Sequence, residues 1–149
     1  RVEELPERIS DMLSKMKVIE RELESLKSAG ALALVGELAT KFENIGSLKV
    51  IVQQIAAGTS GDDLRRMALE LRNREQGSVI ALLSTAADRV VVSPDALTMG
   101  VKAGSLVKLG SGILGGGGGG KDDFAQGGGN DATKITSAIA ELKAALGSF

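Results

Sequence analysis

The residues best placed to do chemistry lie in one stretch: six consecutive glycines from Gly115 to Gly120, then Lys121, Asp122, Asp123, Phe124, Ala125, Gln126 and three more glycines, Gly127 to Gly129. Glycine loses the most conformational freedom on folding, so an ordered run of it calls for a reason. One reason is contact with a polyanion. Without Cβ atoms, successive peptide N–H groups can face phosphate oxygens, and Lys121 adds a mobile positive charge. Gln126 offers a donor and an acceptor, equally suited to a nucleotide edge and to the loop's own backbone. Phe124 is either a core anchor or a stacking surface. Asp122 and Asp123 lack the third ligand that a magnesium site calls for. The competing explanation of the run is a flexible tether, and the residues leave these two alternatives open.

Two nucleotide motifs match here at little cost. Gly115 to Lys121 fits the glycine-and-lysine part of a P-loop, but Asp122 stands where a magnesium-binding hydroxyl is required, and a helix rather than a strand is expected before the loop. A dinucleotide site needs a preceding strand and an acidic residue at a second strand end, and the sequence offers neither.

Other chemistry is excluded by composition. The chain has no Cys and no His, which removes disulfides, thiolate nucleophiles, imidazole bases and the commonest zinc ligands. With 18 basic and 19 acidic residues, net charge −1, no global field draws the chain to nucleic acid, so any such contact must be local. Trp and Tyr are absent and Phe42, Phe124 and Phe149 are the only aromatic residues, which argues against broad base-stacking platforms. Between Asp95 and Asp122 there is no acidic residue, while Lys102, Lys108 and Lys121 fall at or inside those limits. This predicts one locally positive rim, against the alternative of ordinary solvated lysines. Arg65, Arg66, Arg72 and Arg74 interleave with Asp62, Asp63, Glu70 and Glu75, and are read first as surface pairing along a helix and second as RNA contacts.

The elements that must position these groups begin with a heptad seam at Leu5, Ile9, Met12, Met16, Ile19, Leu23 and Leu26. Pro6 and the acidic Glu3, Glu4 and Glu7 suit the start of that helix. The seam lapses at Gly30, and a second stripe, Ala31, Leu34, Leu38, Phe42 and Ile45, follows in shifted phase. A kink or short turn near Ser28 to Gly30 is expected, a helical hairpin ahead of one bent helix, with Asn44 and Gly46 ending the helical part. From Leu48 a β-branched run opens a globular part. It continues with a helix from Ser60 and Asp63 to Arg74, strands at Val79–Leu83 and Val90–Val92 joined through Ala87, Asp88 and Arg89, a helix around Ala103 to Ile113, and a last one from Ile135 to Leu146. Strand, helix, strand, strand implies a mixed sheet. No apolar run reaches the roughly 18 residues of a membrane span, and no leader precedes Arg1, so a soluble, cytoplasmic piece of a longer protein is expected.

The segment Val101-Lys102-Ala103-Gly104-Ser105-Leu106-Val107, followed by Gly115 to Gly120 and by Lys121-Asp122-Asp123-Phe124-Ala125-Gln126-Gly127-Gly128, resembles the C-terminal domain of alanyl-tRNA synthetases. The resemblance implies an α+β chain: a long helix or helical hairpin over 1–46, then the small mixed-sheet α/β domain associated with DHH phosphoesterases over 47–149. It implies a module with no catalytic residues that grips the outer corner of tRNA, so that aminoacylation and editing act on one tRNA. RNA contacts are then expected at Lys102, Lys108, Gly116, Gly117, Gly118, Gly119, Gly120, Lys121 and Gln126. No cofactor is expected in this part, ATP, magnesium and zinc belonging to the catalytic and editing domains. The partners implied are tRNA, alanine tRNA in particular, and the rest of the synthetase, with no membrane. Pairing of two chains through the helical arm is the alternative role. Gly127 departs from the family's usual Ala, which predicts a looser loop. The phosphoesterase branch commonly carries His in its glycine motif, and this chain has none.

Overall fold

A computed structural model describes residues 2–56, 59–85, 89–94 and 100–149, the side chains of Glu3, Arg89 and Pro94 excepted. The chain divides into two compact units, Arg1–Gly30 and Ala31–Phe149.

In the first unit, a short 3₁₀ turn at Val2–Glu4 leads into α1, which spans Leu5–Leu38. The heptad seam is helical, as its spacing predicts. The expected turn near Ser28 to Gly30 is absent: α1 passes through Gly30 without a break, so the hairpin gives way to one helix. One interior glycine costs a helix only about 1 kcal/mol relative to Ala. The flanking Ala29, Ala31, Leu32, Ala33 and Leu34 offset that locally.

In the second unit, the end of α1 is followed by 3₁₀ turn Ala39–Lys41, β1 (Glu43–Ile45), β2 (Leu48–Ile55), α2 (Gly61–Arg74), β3 (Ser78–Ser84), β4 (Arg89–Pro94), α3 (Ala103–Ile113), β5 (Gly117–Gly120), β6 (Ala125–Gly128) and α4 (Ile135–Leu146). The six strands form one mixed sheet in the order β1-β2-β3-β4-β6-β5; β2 and β3 run parallel and every other pair is antiparallel. Ile45 therefore ends an edge strand rather than a helix, and Gly46, at φ 61°, makes the β1–β2 turn. Of the turn read at Ala87, Asp88 and Arg89, the first two residues lie outside the described residues.

The sheet is buried on both faces, which is why its central strands read as continuous apolar runs rather than alternating ones. Val50, Val52, Val79, Ala81, Leu83, Val90 and Val92 pack under α3 and α4. The alternate residues Ile51, Ile55, Ile80, Leu82 and Val91 pack under α2 and the Ala31, Val35 and Leu38 stripe of α1.

Ser60 caps α2 as its spacing from Asp63 predicts: its hydroxyl accepts from the Asp63 N–H at 3.1 Å and donates to the Asp63 carboxylate at 2.8 Å. A Ser60→Ala variant is expected to lose about 1 kcal/mol, read as a lower urea midpoint with unchanged slope. Before α4, the Asp131 carboxylate accepts from the Thr133 hydroxyl and faces Lys134, which together hold its carboxyl below the usual range. Among the described residues no helix is long and apolar enough to cross a membrane.

Candidate nucleic-acid interface

The glycine run is neither loop nor tether. Gly117–Gly120 is strand β5, paired residue for residue with Ala125–Gly128 at the edge of the sheet. Both ends of the hairpin are tied to α3. At one end, Gly115 at φ 73° lets the Gly115 N–H reach the Gly112 carbonyl at 3.1 Å and the Gly116 N–H reach the Ser111 carbonyl at 2.9 Å. This is the 5→2, 6→1 pattern that closes a helix through a left-handed residue. At the other, the Asp122 carbonyl accepts from the Ala103 N–H at the start of α3 (2.9 Å), and the Lys121 N–H closes the β5–β6 turn on the Phe124 carbonyl, also at 2.9 Å.

The alternation of a strand gives the ribbon two different faces. A Cβ at Gly118 would lie 2.6 Å from a Val107 methyl and 2.9 Å from the Gln126 carbonyl oxygen, and one at Gly120 would lie 2.6 Å from the Ala125 Cα. A Cβ at Gly116 would meet the Gly128 carbonyl oxygen. These three glycines are required by packing. Gly127 is also held, against Ser111, Val107 and Gly118, so its departure from Ala leaves a close fit rather than a looser loop. Gly117 and Gly119 differ: nothing lies within 4 Å of where their Cβ atoms would be, and neither has a positive φ. Neither space within the protein nor backbone conformation accounts for glycine there.

That open face borders a groove of about 420 Å³ between the hairpin and α2, lined by Arg65, Leu69, Arg72, Gly119, Gly120, Lys121, Asp123, Phe124, Ala125 and Gln126. The Arg65 guanidinium lies over the Phe124 ring, 5.1 Å from its centroid, and Arg72 donates to the Asp123 carbonyl at 3.3 Å. Among the described residues, Arg65, Arg72 and Lys121 make no ion pair. The groove thus holds three cations and one carboxylate, that of Asp123. Burial of a charge is not at stake, since Arg65, Arg72 and Lys121 reach solvent.

The structure brings some of the expected residues together and separates others. Gly119, Gly120, Lys121 and Gln126 share the groove and Gly117 continues its open strand face, while Gly116 and Gly118 are turned to neighbouring chain. Lys102 stands at the start of α3 with its ammonium 3.6 Å from the Asp122 carboxylate, so its charge is partly offset. Lys108 is exposed on α3, which covers the opposite sheet face from α2, and does not line the groove. Arg65 and Arg72, read from sequence as surface pairing before RNA contact, line the groove as well. Their seven-residue spacing on α2 is the signal that could have found them, since it places both on one helix face while Arg74 pairs with Glu70 at 3.1 Å.

The DHHA1 domain family matches residues 47–148. The alanine–tRNA ligase of Thermobifida fusca is 39% identical over 144 residues, covering 92% of this chain and 16% of the relative, and that of Saccharopolyspora erythraea is 41% identical over 150 residues, covering 97% and 17%. The chain thus spans about a sixth of the length of these relatives. The crystal structure of the C-Ala domain from Aquifex aeolicus alanyl-tRNA synthetase superposes with a TM-score of 0.64 at 30% identity, covering 72% of this chain and 98% of that one. RecJ from Thermus thermophilus shares the fold, with a TM-score of 0.66 at 16% identity over 87% of this chain and 19% of that one. With residues 47–148 matched and most of its length shared with these relatives, the chain belongs to the DHHA1 domain family, and within it is similar to the C-Ala domain of alanyl-tRNA synthetase.

Proposed function

We propose that this chain is the accessory, non-catalytic C-terminal module of a cytoplasmic alanine–tRNA ligase, and that it holds the outer corner of tRNA, alanine tRNA in particular, so that aminoacylation and editing act on the same molecule. The observation that carries this reading is the open face of β5. Gly117 and Gly119 leave the backbone uncovered where the fold does not need them to, beside three cations without acidic partners. A surface of main-chain groups and mobile charges suits phosphate, sugar and shape rather than base sequence. Selectivity for tRNA is then geometric. Binding of this chain to alanine tRNA and to a minihelix lacking the D and T loop corner tests it. Strong preference for the full tRNA is expected, and equal affinity for the two would remove the corner-binding assignment.

The seam of α1 favours a second role beside the first. Met12, Ile19 and Leu26 are 63%, 63% and 72% exposed, and Leu5, Ile9, Met16 and Leu23 are also exposed, at a spacing suited to a coiled coil. Pairing of two chains through this stripe follows. Sedimentation equilibrium is expected to show a concentration-dependent dimer that the double variant Met16→Lys, Ile19→Lys abolishes. A monomer at all concentrations would dismiss this role and leave the groove unaffected.

A further inference from the structure

Phosphate contact uses the cations and the bare strand, but the groove is also furnished with groups that a phosphate does not call for: Phe124, Leu69 and the side-chain amide of Gln126. Phe124 is half-buried and packs from below against the apolar layer under α2. That fixes the ring, and the ring in turn holds the Arg65 guanidinium over it at 5.1 Å. Arg65 is exposed and lines the groove, so the guanidinium over the ring is open to a ligand there. An arginine plane held in this way is a surface on which an unpaired base stacks, because it is flat, weakly hydrated and cationic. On the floor, Gln126 is exposed on β6 opposite Gly119, and among the described residues its amide makes no hydrogen bond. It can donate and accept at once, which matches the edge of a base. The volume, about 420 Å³, falls within the range of small-molecule sites, roughly 300–1,000 Å³.

Building on the phosphate-binding reading above, we propose that this groove receives one nucleobase turned out of its stack, laid on the Arg65 guanidinium with its edge at Gln126 and its phosphate at Gly119 and Lys121. Binding then needs an exposed base plane as well as charge. The chain would distinguish folded RNAs that present such a base from uniform duplex.

The test uses the 149-residue chain with three probes, adenosine 5′-monophosphate, ribose 5-phosphate and alanine tRNA, on the parent and on Arg65→Lys, which keeps the charge and removes the plane. The parent is expected to bind the nucleotide at least tenfold more tightly than ribose 5-phosphate, with the nucleotide shifting the Arg65 Nε–H and Gln126 amide resonances. Arg65→Lys is expected to lose that preference and to bind tRNA about tenfold more weakly with the same salt slope. Ribose 5-phosphate binding as well as the nucleotide, or unchanged tRNA affinity in Arg65→Lys, would overturn the proposal. A Lys121→Ala variant measured alongside separates the two levels. If it lowers the salt slope while Arg65→Lys is silent, the base site alone fails; if both are silent, the phosphate reading fails with it.

Discussion

Gly119→Val is expected to keep the thermal midpoint of the parent or raise it slightly, while weakening tRNA binding by about tenfold or more; Gly118→Val, one residue away, is expected to melt roughly 10 °C earlier. The contrast comes from the two faces of β5. At Gly119 the side chain would enter open space, in a conformation β-branched residues favour, so the protein itself has no reason to resist it. What it blocks is the approach of a ligand to the peptide groups beside Lys121. At Gly118 the first added carbon already lies 2.6 Å from Val107 and 2.9 Å from a backbone oxygen, which the hairpin relieves only by leaving α3. Overpacking of this kind costs about 3 kcal/mol, and for a chain of this size each kcal/mol moves the midpoint by a few degrees. Thermal melts and filter binding on the two variants check both halves.

The second large effect concerns salt. Three cations in the groove, together offsetting about three phosphate charges, give a logarithmic salt slope of roughly −2 to −3, and each charge removed lowers its magnitude by about one. The triple variant Arg65→Ala, Arg72→Ala, Lys121→Ala is therefore expected to bind tRNA on the order of a hundredfold more weakly at low salt, with its slope reduced to one or less. Its stability should change little, since Arg65 and Lys121 are exposed, Arg72 is half-buried, and the bond from Arg72 to the Asp123 carbonyl is a surface one. Arg74→Ala is the control: its guanidinium already pairs with Glu70 on the same helix, so slope and affinity should match the parent. A triple variant with the parent's slope would mean that these charges do not meet phosphate.

The β2–α2–β3 unit and β4 were legible because burial on both faces leaves a plain trace: short β-branched runs separated by a capped amphipathic helix. Ser60 and Asp63 marked that helix by type and spacing, and the structure pairs them. The glycine run was not legible as a strand. Gly117 to Gly120 have neither propensity nor periodicity, and their extended form comes from elsewhere: the cap at Gly115, the register with β6, and the close seat under Val107. Gly30 misled for the opposite reason, because the mark of a turn sits inside a helix whose alanine and leucine neighbours outweigh it. Within the groove, Gly119, Lys121 and Gln126 could be named from one motif. Arg65 and Arg72 came second there, since their spacing puts them on one helix face but sequence shows only that acids are nearby, not that Glu70 is engaged by Arg74 and Asp63 by Ser60.

The proposed contact is between RNA and the bare face of β5. Amide chemical-shift changes on adding alanine tRNA to the isotopically labelled chain measure this most directly. The largest changes are expected at Gly117, Gly119, Lys121 and Gln126, with smaller ones on the Arg65 and Arg72 face of α2. Perturbations confined to α4 or to the exposed surface of α3 around Lys108, with the β5 amides unmoved, would contradict it.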